Sequence, residues 1–281
     1  MKQSRRAVEL VVISDSHLGS IGSRAKELYV YLKSISPEKI VLNGDIIDIW
    51  QFKKRYWDKY HTKVIKELLN FATNGVEVYY IAGNHDEAFR RFLDFKFEGF
   101  TISNKLILHL DGKKAWFFHG DVFDITMQYS RWITRLGGFS YDFLIYINSI
   151  TNRLLKFFGR EKRSFSKIIK NKVKAAVSYI NKFEDTVSHI AIDNQFDYVI
   201  CGHIHQPCHK KVVTKKGSVE YLNSGDWIEN LTALEYHKKK WTIFNFDSKP
   251  FDKESLTEII YKNPDQLFAD LVKEINVKLI Q

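Results

Sequence analysis

Five short apolar runs each end in a cluster of histidine and aspartate, and this repetition constrains the fold more than any other feature of the chain. Leu10–Ile13 leads into Asp15-Ser16-His17, and Ile40–Leu42 into Gly44-Asp45. Val78–Ala82 leads into Gly83-Asn84-His85-Asp86, Trp116–Phe118 into His119-Gly120-Asp121, and Tyr198–Cys201 into Gly202-His203-Ile204-His205. Runs of this length, rich in Val, Ile and aromatics and closed by Gly, Asn or Asp, have the pattern of buried strands. All five clusters therefore fall where a strand becomes a loop. In open α/β sheets that is where ligands bind, at the carboxyl ends of strands.

Asp15, His17, Asp45, Asn84, His119, His203 and His205 are the candidate metal ligands: four imidazoles, one amide and two carboxylates. That set is too large for one tetrahedral ion and suits two divalent ions sharing a bridging group. Two such ions carry more positive charge than two carboxylates cancel, so the site would attract phosphate and hydroxide. Imidazole and carboxylate without thiolate favour Mn, Fe or Zn.

The series D-x-H, G-D, G-N-H-D, a later H and G-H-x-H runs in order from Asp15 to His205. It resembles the calcineurin-like metallophosphoesterases. The resemblance implies an α/β fold, a four-layer αββα sandwich, here with a helical insertion. It implies two divalent metal ions, manganese first with iron or zinc as alternatives, and hydrolysis of phosphoester or pyrophosphate bonds. By the same resemblance Asp15, His17, Asp45 and His205 would hold one ion. Asp45, Asn84, His119 and His203 would hold the second, with Asp45 bridging. Two ions about 3.5–4 Å apart lower the pKa of a shared water toward ~7 and clamp the attacking and leaving oxygens. The resemblance also implies that His85 is the catalytic group, stabilising the phosphoryl group or protonating the leaving oxygen, which suits an imidazole of near-neutral pKa, with Asp86 orienting it.

More narrowly, the helical insertion after His119, the Gly-His-Ile-His-Gln-Pro run and Asn223-Ser224-Gly225-Asp226-Trp227 resemble the UDP-2,3-diacylglucosamine diphosphatases. These cleave the pyrophosphate of a lipid A precursor. The resemblance covers residues from about 8 to 246. One departure stands out: in the best-known branch arginine follows the metal-binding asparagine, and here it is His85.

The 281 residues suit one large domain with an insertion. The expected organisation is a metallophosphoesterase domain over 1–250, a basic helical insertion at about 125–195, and a helical tail over 251–281. Between Arg131 and Lys182 stand twelve Lys or Arg against Asp142 and Glu161, a balance of +10 that equals the net charge of the whole chain. The alternating apolar and basic faces of the insertion suit a lid for acyl chains or a helix lying on an anionic membrane surface. Helices packed on the core with a solvated basic face would read the same way. Two cysteines, Cys201 and Cys208, make no disulfide framework and favour a reducing compartment. The N-terminal apolar run is broken by Glu9 and closed by Asp15, so it is a strand rather than a signal peptide. A cytoplasmic protein, peripheral on the inner membrane, is the expectation.

Further elements are legible. Ser23–Ser36 and His61–Thr73 have helical spacing, and Thr101–Leu110 with Ala115–His119 flank the turn signal Asp111-Gly112. Lys211–Thr214, Val219–Asn223, Thr232–Tyr236 and Trp241–Phe246 suit antiparallel strands, and Asp265–Ile280 suits an amphipathic helix. The aromatic and basic stretch Ile46–Trp57 reads either as a wall of the cleft or as a helix start on the core. Three functions stay open at this point. One is hydrolysis of a phosphorylated or nucleotide-linked lipid. Another is a soluble phosphodiesterase or nuclease whose basic insertion grips nucleic acid. The last is a metal-stabilised binding module, against which the complete ligand set and His85 argue.

Overall fold

The computed structural model describes residues 5–123 and 165–247, with side chains of the long helix described from residue 177 onward. Its strands are Arg6–Ile13 (β1), Ile35–Asn43 (β2), Glu77–Ile81 (β3), Lys96–Phe97 (β4), Phe100–Ser103 (β5) and Lys105–Leu110 (β6). Lys113–Phe118 (β7), Tyr198–Cys201 (β8), Cys208–Thr214 (β9), Gly217–Asn223 (β10), Thr232–His237 (β11) and Lys240–Asn245 (β12) follow. The α-helices are Ala25–Ser34 (α1), Lys59–Thr73 (α2) and Phe165–Asp193 (α3). A seven-stranded sheet runs β12-β11-β1-β2-β3-β5-β4, and a five-stranded sheet runs β6-β7-β8-β10-β9. Within each, the central strands are parallel: β1-β2-β3-β5 in the first and β7-β8-β10 in the second.

The two sheets pack face to face. Leu10 and Val12 of β1, Val41, Ile81, Leu234 and Tyr236 come from the first sheet. They meet Phe117, Ile200, Leu222 and Tyr198 of the second in one buried cluster. Side chains alternate along a strand, so Val11 and Ile13 point to the opposite face, also buried. There α1 covers the sheet: Tyr31 donates to Glu235 of β11 at 2.8 Å and its ring lies 4.5 Å from that of Phe244 of β12. The outer face of the five-stranded sheet carries Phe118, Val199, Cys201, Val219 and Tyr221, and α3 covers it with Phe183, Val187 and Ala191. The order of layers is therefore helix, sheet, sheet, helix, the αββα arrangement. Both sheets are buried on two sides, which is why their central strands read as unbroken apolar runs.

Local signals place the ends of the helices. Asp58 caps α2, accepting from Tyr60 N at 2.7 Å and His61 N at 3.2 Å, while His61 Nδ1 takes the Asp58 N–H. The helix therefore starts at Lys59, ahead of the expected His61. α1 stops at Ser34, because Pro37 biases the residue before it toward extended backbone and β2 begins at Ile35.

Two expectations change. The apolar run Thr101–Leu110 is not one strand of a hairpin. Phe100–Ser103 pairs in parallel with β3, the chain crosses between sheets at Asn104, and only Lys105–Leu110 pairs with β7. Alternating polarity cannot register such a crossing, since both halves are strands. The four C-terminal strands also divide, β9 and β10 joining one sheet and β11 and β12 the other. In the stretch expected to be helical, α3 covers Phe165–Asp193, and residues 124–164 lie outside the described residues. Compactness divides the chain into Met1–Asn245 and Phe246–Gln281. The expected tail helix Asp265–Ile280 lies outside the described residues.

Phe117 is fully buried between the sheets. Phe117→Ala should lower the unfolding free energy by about 3–5 kcal/mol, measured by urea denaturation at fixed metal concentration. A loss below about 1 kcal/mol would contradict a close-packed interface at this position.

Candidate active site

The carboxyl ends of β1, β2, β3, β7 and β8 meet at one end of the sandwich. The turns that follow them are stitched by backbone bonds: Asp15 N to Gly44 O and His17 N to Asp45 O at 3.0 Å each, and Gly202 N to His119 O at 2.9 Å. His119 Nδ1 lies 2.9 Å from the Asn43 carbonyl, bonding one sheet to the other and leaving Nε2 to face the site.

The backbone of these turns is unusual. Asp15, His17, Asp45, His203 and His205 all have positive φ, between 43° and 67°. That left-handed region is uncommon for residues with a Cβ, and each such residue costs on the order of 1–3 kcal/mol. The conformation turns side chains out of the strand's alternation and toward one centre. Space is equally tight. A Cβ on Gly44 (φ +86°) would stand 2.3 Å from the His119 ring, and one on Gly83 would stand 2.2 Å from Asp45 Oδ1.

Six of the seven expected ligands fall into two groups. Asp15, His17 and His205 offer atoms within 4.8 Å of one another, and so do Asp45, His119 and His203. Asp45 lies between the groups: its Oδ2 is 3.2 Å from His119 Nε2 and 3.9 Å from His17 Nε2. The seventh, Asn84, turns a buried Oδ1 that has no hydrogen-bond partner among the described residues.

The electrostatics follow from two buried carboxylates among imidazoles. Burial alone would raise the Asp15 carboxyl, yet His205 and His119 hold it down to about 2. Burial likewise opposes ionisation of Asp45, and His119, His17 and His85 outweigh it and keep it well below the usual carboxylate range. Burial works against charge on His205, but Asp15 raises it to about 9, and in the same way Asp45 raises His119 well above normal.

Divalent ions fit this arrangement. Asp15 Oδ1, His17 Nε2, Asn84 Oδ1 and His119 Nε2 are buried and have no hydrogen-bond partner among the described residues, whereas buried polar atoms are normally bonded. Asp15 Oδ1 and His205 Nε2 stand 3.2 Å apart, as do Asp45 Oδ2 and His119 Nε2. Atoms that share one ion at about 2.0–2.2 Å stand roughly 3–3.5 Å from each other. The donors are imidazole nitrogen and carboxylate or amide oxygen, suited to a first-row divalent metal.

His85 lies at the rim of the groups, its ring 4.6 Å from that of His17. Its expected partner was Asp86, and here the structure differs. The Asp86 carboxylate accepts from Gly83 N at 2.6 Å, from Ile46 N at 2.8 Å and from the Tyr80 hydroxyl. It clamps the turn after β2 to the turn after β3 and does not touch His85. Adjacent residues in a turn point apart, so sequence proximity misled. The carboxylate that orients His85 is Asp48, with Oδ1 3.1 Å from His85 Nδ1 and Oδ2 3.2 Å from His17 Nδ1. Burial would lower the His85 pKa, but Asp48 and Asp45 raise it. Asp48 was legible only as a carboxylate three residues past Asp45. Trp50 lies against His85, ring centroids 4.9 Å apart, so the Ile46–Trp57 stretch supplies a wall of the cleft at this residue. Asp121 belongs to neither ligand group and pairs with Arg90 at 2.6 Å.

The sequence profile of the family described as Calcineurin-like phosphoesterase matches residues 8–207. The UDP-2,3-diacylglucosamine hydrolase of Aliivibrio fischeri (strain MJ11) is 21% identical over 86% of this chain and 99% of its own. The protein of that name from Blochmanniella pennsylvanica (strain BPEN) is 25% identical over 83% of this chain and 93% of its own. A solved archaeal phosphodiesterase covers 84% of this chain and 98% of its own at 12% identity with a TM-score of 0.42, too distant to bear on the chemistry.

Two variants probe the arrangement. Gly83→Ala should drive its methyl into Asp45 and lower bound metal in the dialysed protein, read by elemental analysis; unchanged metal would contradict the contact. Asp48→Ala releases both His17 and His85, so it should weaken metal affinity by about 10–100-fold and, at saturating metal, lower kcat by about 10²-fold, the lower end for loss of an acid–base group's positioning. An unchanged kcat would remove Asp48 from the mechanism.

Proposed function

As the chain belongs to the calcineurin-like phosphoesterase family, we propose that it is a two-metal hydrolase that splits the pyrophosphate of UDP-2,3-diacylglucosamine or of a closely related nucleotide-linked lipid. The observation that carries this reading is the pair of ligand groups joined at Asp45, with His85 held beside them by Asp48. Asp15, His17 and His205 would hold one ion, and Asn84, His119 and His203 the other, with Asp45 shared. Manganese is the proposed metal, since the donors are imidazole and oxygen. Bound there, the ions would supply Lewis-acid stabilisation of phosphate oxygens and activation of water near neutral pH.

The chain's own residues do the remaining work. His119 Nδ1 is occupied by the Asn43 carbonyl, which fixes the tautomer that presents Nε2. Asp48 holds His85 Nδ1, so a proton on His85 Nε2 can be given to the oxygen that departs from phosphorus. Asp86 acts on structure alone, keeping Asp45 and Asn84 in register through Ile46 and Gly83.

The substrate is supported by the two relatives named as UDP-2,3-diacylglucosamine hydrolases, whose length this chain matches almost fully. The basic insertion is proposed to face an anionic membrane surface from the cytoplasmic side. No helix among the described residues is long and apolar enough to cross a membrane. The C-terminal end of α3 does not join in this role, because Phe183, Val187 and Ala191 are buried against the five-stranded sheet. The proposed contact therefore belongs to the basic residues that precede it.

With added manganese, UDP-2,3-diacylglucosamine should be split faster than an aryl phosphodiester. Turnover of the aryl diester or of nucleic acid alone would move the function to a soluble phosphodiesterase. His85→Ala should lower kcat by about 10²–10⁴ while metal stoichiometry is kept; loss of metal would make His85 a ligand instead. Replacing residues 131–164 by a short Gly-Ser bridge removes seven of the twelve basic residues and should weaken salt-sensitive binding to anionic vesicles, read by flotation. Vesicle binding left unchanged by the replacement would contradict the assigned surface.

A further inference from the structure

We propose that the recess beside His85 is the seat of the nucleoside monophosphate half of a pyrophosphate substrate, with the base on the exposed face of Trp50 and the phosphate met by Arg91 and Arg90. The proposal rests on the pyrophosphatase reading above and specifies which surface takes the nucleotide.

The recess has a volume of about 410 Å³ and lies between the turn carrying Trp50 and the short 3-10 helix Glu87–Phe92, with His85 among its lining residues. That volume falls within the ~300–1,000 Å³ of small-molecule sites. Trp50 stands tilted 36° to His85 and remains 44% exposed, so part of the indole is open to a ligand in the recess. Its position is fixed, because Ile49 N donates to the His85 carbonyl at 3.0 Å and ties the two turns together. A fixed, exposed aromatic face accepts any nucleobase by stacking.

The charges of the recess select among ligands. The Arg90 guanidinium is held by Asp121 at 2.6 Å and by the Ala82 carbonyl at 3.3 Å, so it is presented without further ordering. Arg91 is exposed and has no ion pair among the described residues. Two guanidinium groups suit a phosphate. Glu87 places one acceptor in the same recess, suited to a sugar hydroxyl and repulsive to a second phosphate. Ile49, Trp50 and Ala88 give the recess an apolar side suited to a base, and the two arginines with Glu87 give it a polar side suited to a sugar phosphate. What fits is one phosphate, one sugar and one base. Because His85 belongs to both the recess and the metal site, the bond to be cut would lie between them.

The test is calorimetric titration of UMP, ribose 5-phosphate and inorganic phosphate into the manganese-loaded full-length protein. UMP should bind about tenfold more tightly than ribose 5-phosphate, the lower range for one stacked base. Trp50→Ala should abolish that difference, and Trp50→Phe should keep most of it, with melting temperatures showing that both variants fold. Arg91→Ala should weaken UMP and ribose 5-phosphate alike, by about tenfold for a charge-assisted contact. Equal affinity of the wild-type protein for UMP and ribose 5-phosphate would overturn the proposal, as would a base preference that survives Trp50→Ala. Cleavage of UDP-2,3-diacylglucosamine together with UMP binding indifferent to Trp50 overturns the seat and leaves the proposed function standing. Trp50-dependent UMP binding in a protein that splits no pyrophosphate supports the seat and removes that function.

Discussion

Two carboxylates, Asp15 and Asp45, are buried where the two sheets meet, and the construction around them answers the cost of that burial. An ionised carboxylate out of water is tolerated only when paired or bound to a cation. Here imidazoles from both sheets converge on the pair, His17 and His205 near Asp15 and His119 and His203 near Asp45. Each sheet supplies part of the charge balance, so the site exists only when both are formed and packed. The apolar cluster of Leu10, Val12, Val41, Phe117 and Ile200 thus sets the geometry of the polar one.

The turns show how the chain reaches that geometry. Residues at the end of a strand would normally continue its alternation and diverge. Positive φ at Asp15, His17, Asp45, His203 and His205 breaks the alternation at each end. The close approach of Gly44 to His119 and of Gly83 to Asp45 removes the atoms that would keep the turns apart. Strain of this kind persists when the surroundings over-determine it. The Asp86 clamp and the backbone bonds between turns supply that determination. Local conformational stability is given up here in return for convergence.

A division of labour among carboxylates follows. Asp15 and Asp45 face the ligand groups, Asp48 aligns two imidazoles, and Asp86 ties the backbone together. All four are acidic and buried, and composition alone does not separate them. What distinguishes them is the direction each turn imparts. The same consideration applies to the basic residues. Arg90 is anchored by Asp121 on a different strand end, a pairing of residues 31 positions apart that places a guanidinium beside the cleft.

Much of this protein was legible in the amino-acid order. Apolar runs followed by Asp, His, Asn and Gly located the strand ends, because burial on both faces leaves an unbroken apolar signature. The seven candidate ligands were named from residue type, since metal chemistry draws on few side chains, and the role of His85 came from the family resemblance of the motif series. Tertiary structure decided what depends on distant contacts. It split Thr101–Leu110 between two sheets, since strand periodicity carries no label for the partner sheet. It gave Asp48, not Asp86, to His85, because neighbours along a turn point apart and residues 37 apart can meet. It set Trp50, Arg90 and Arg91 around one recess, a grouping made by the packing of two turns and by no sequence spacing.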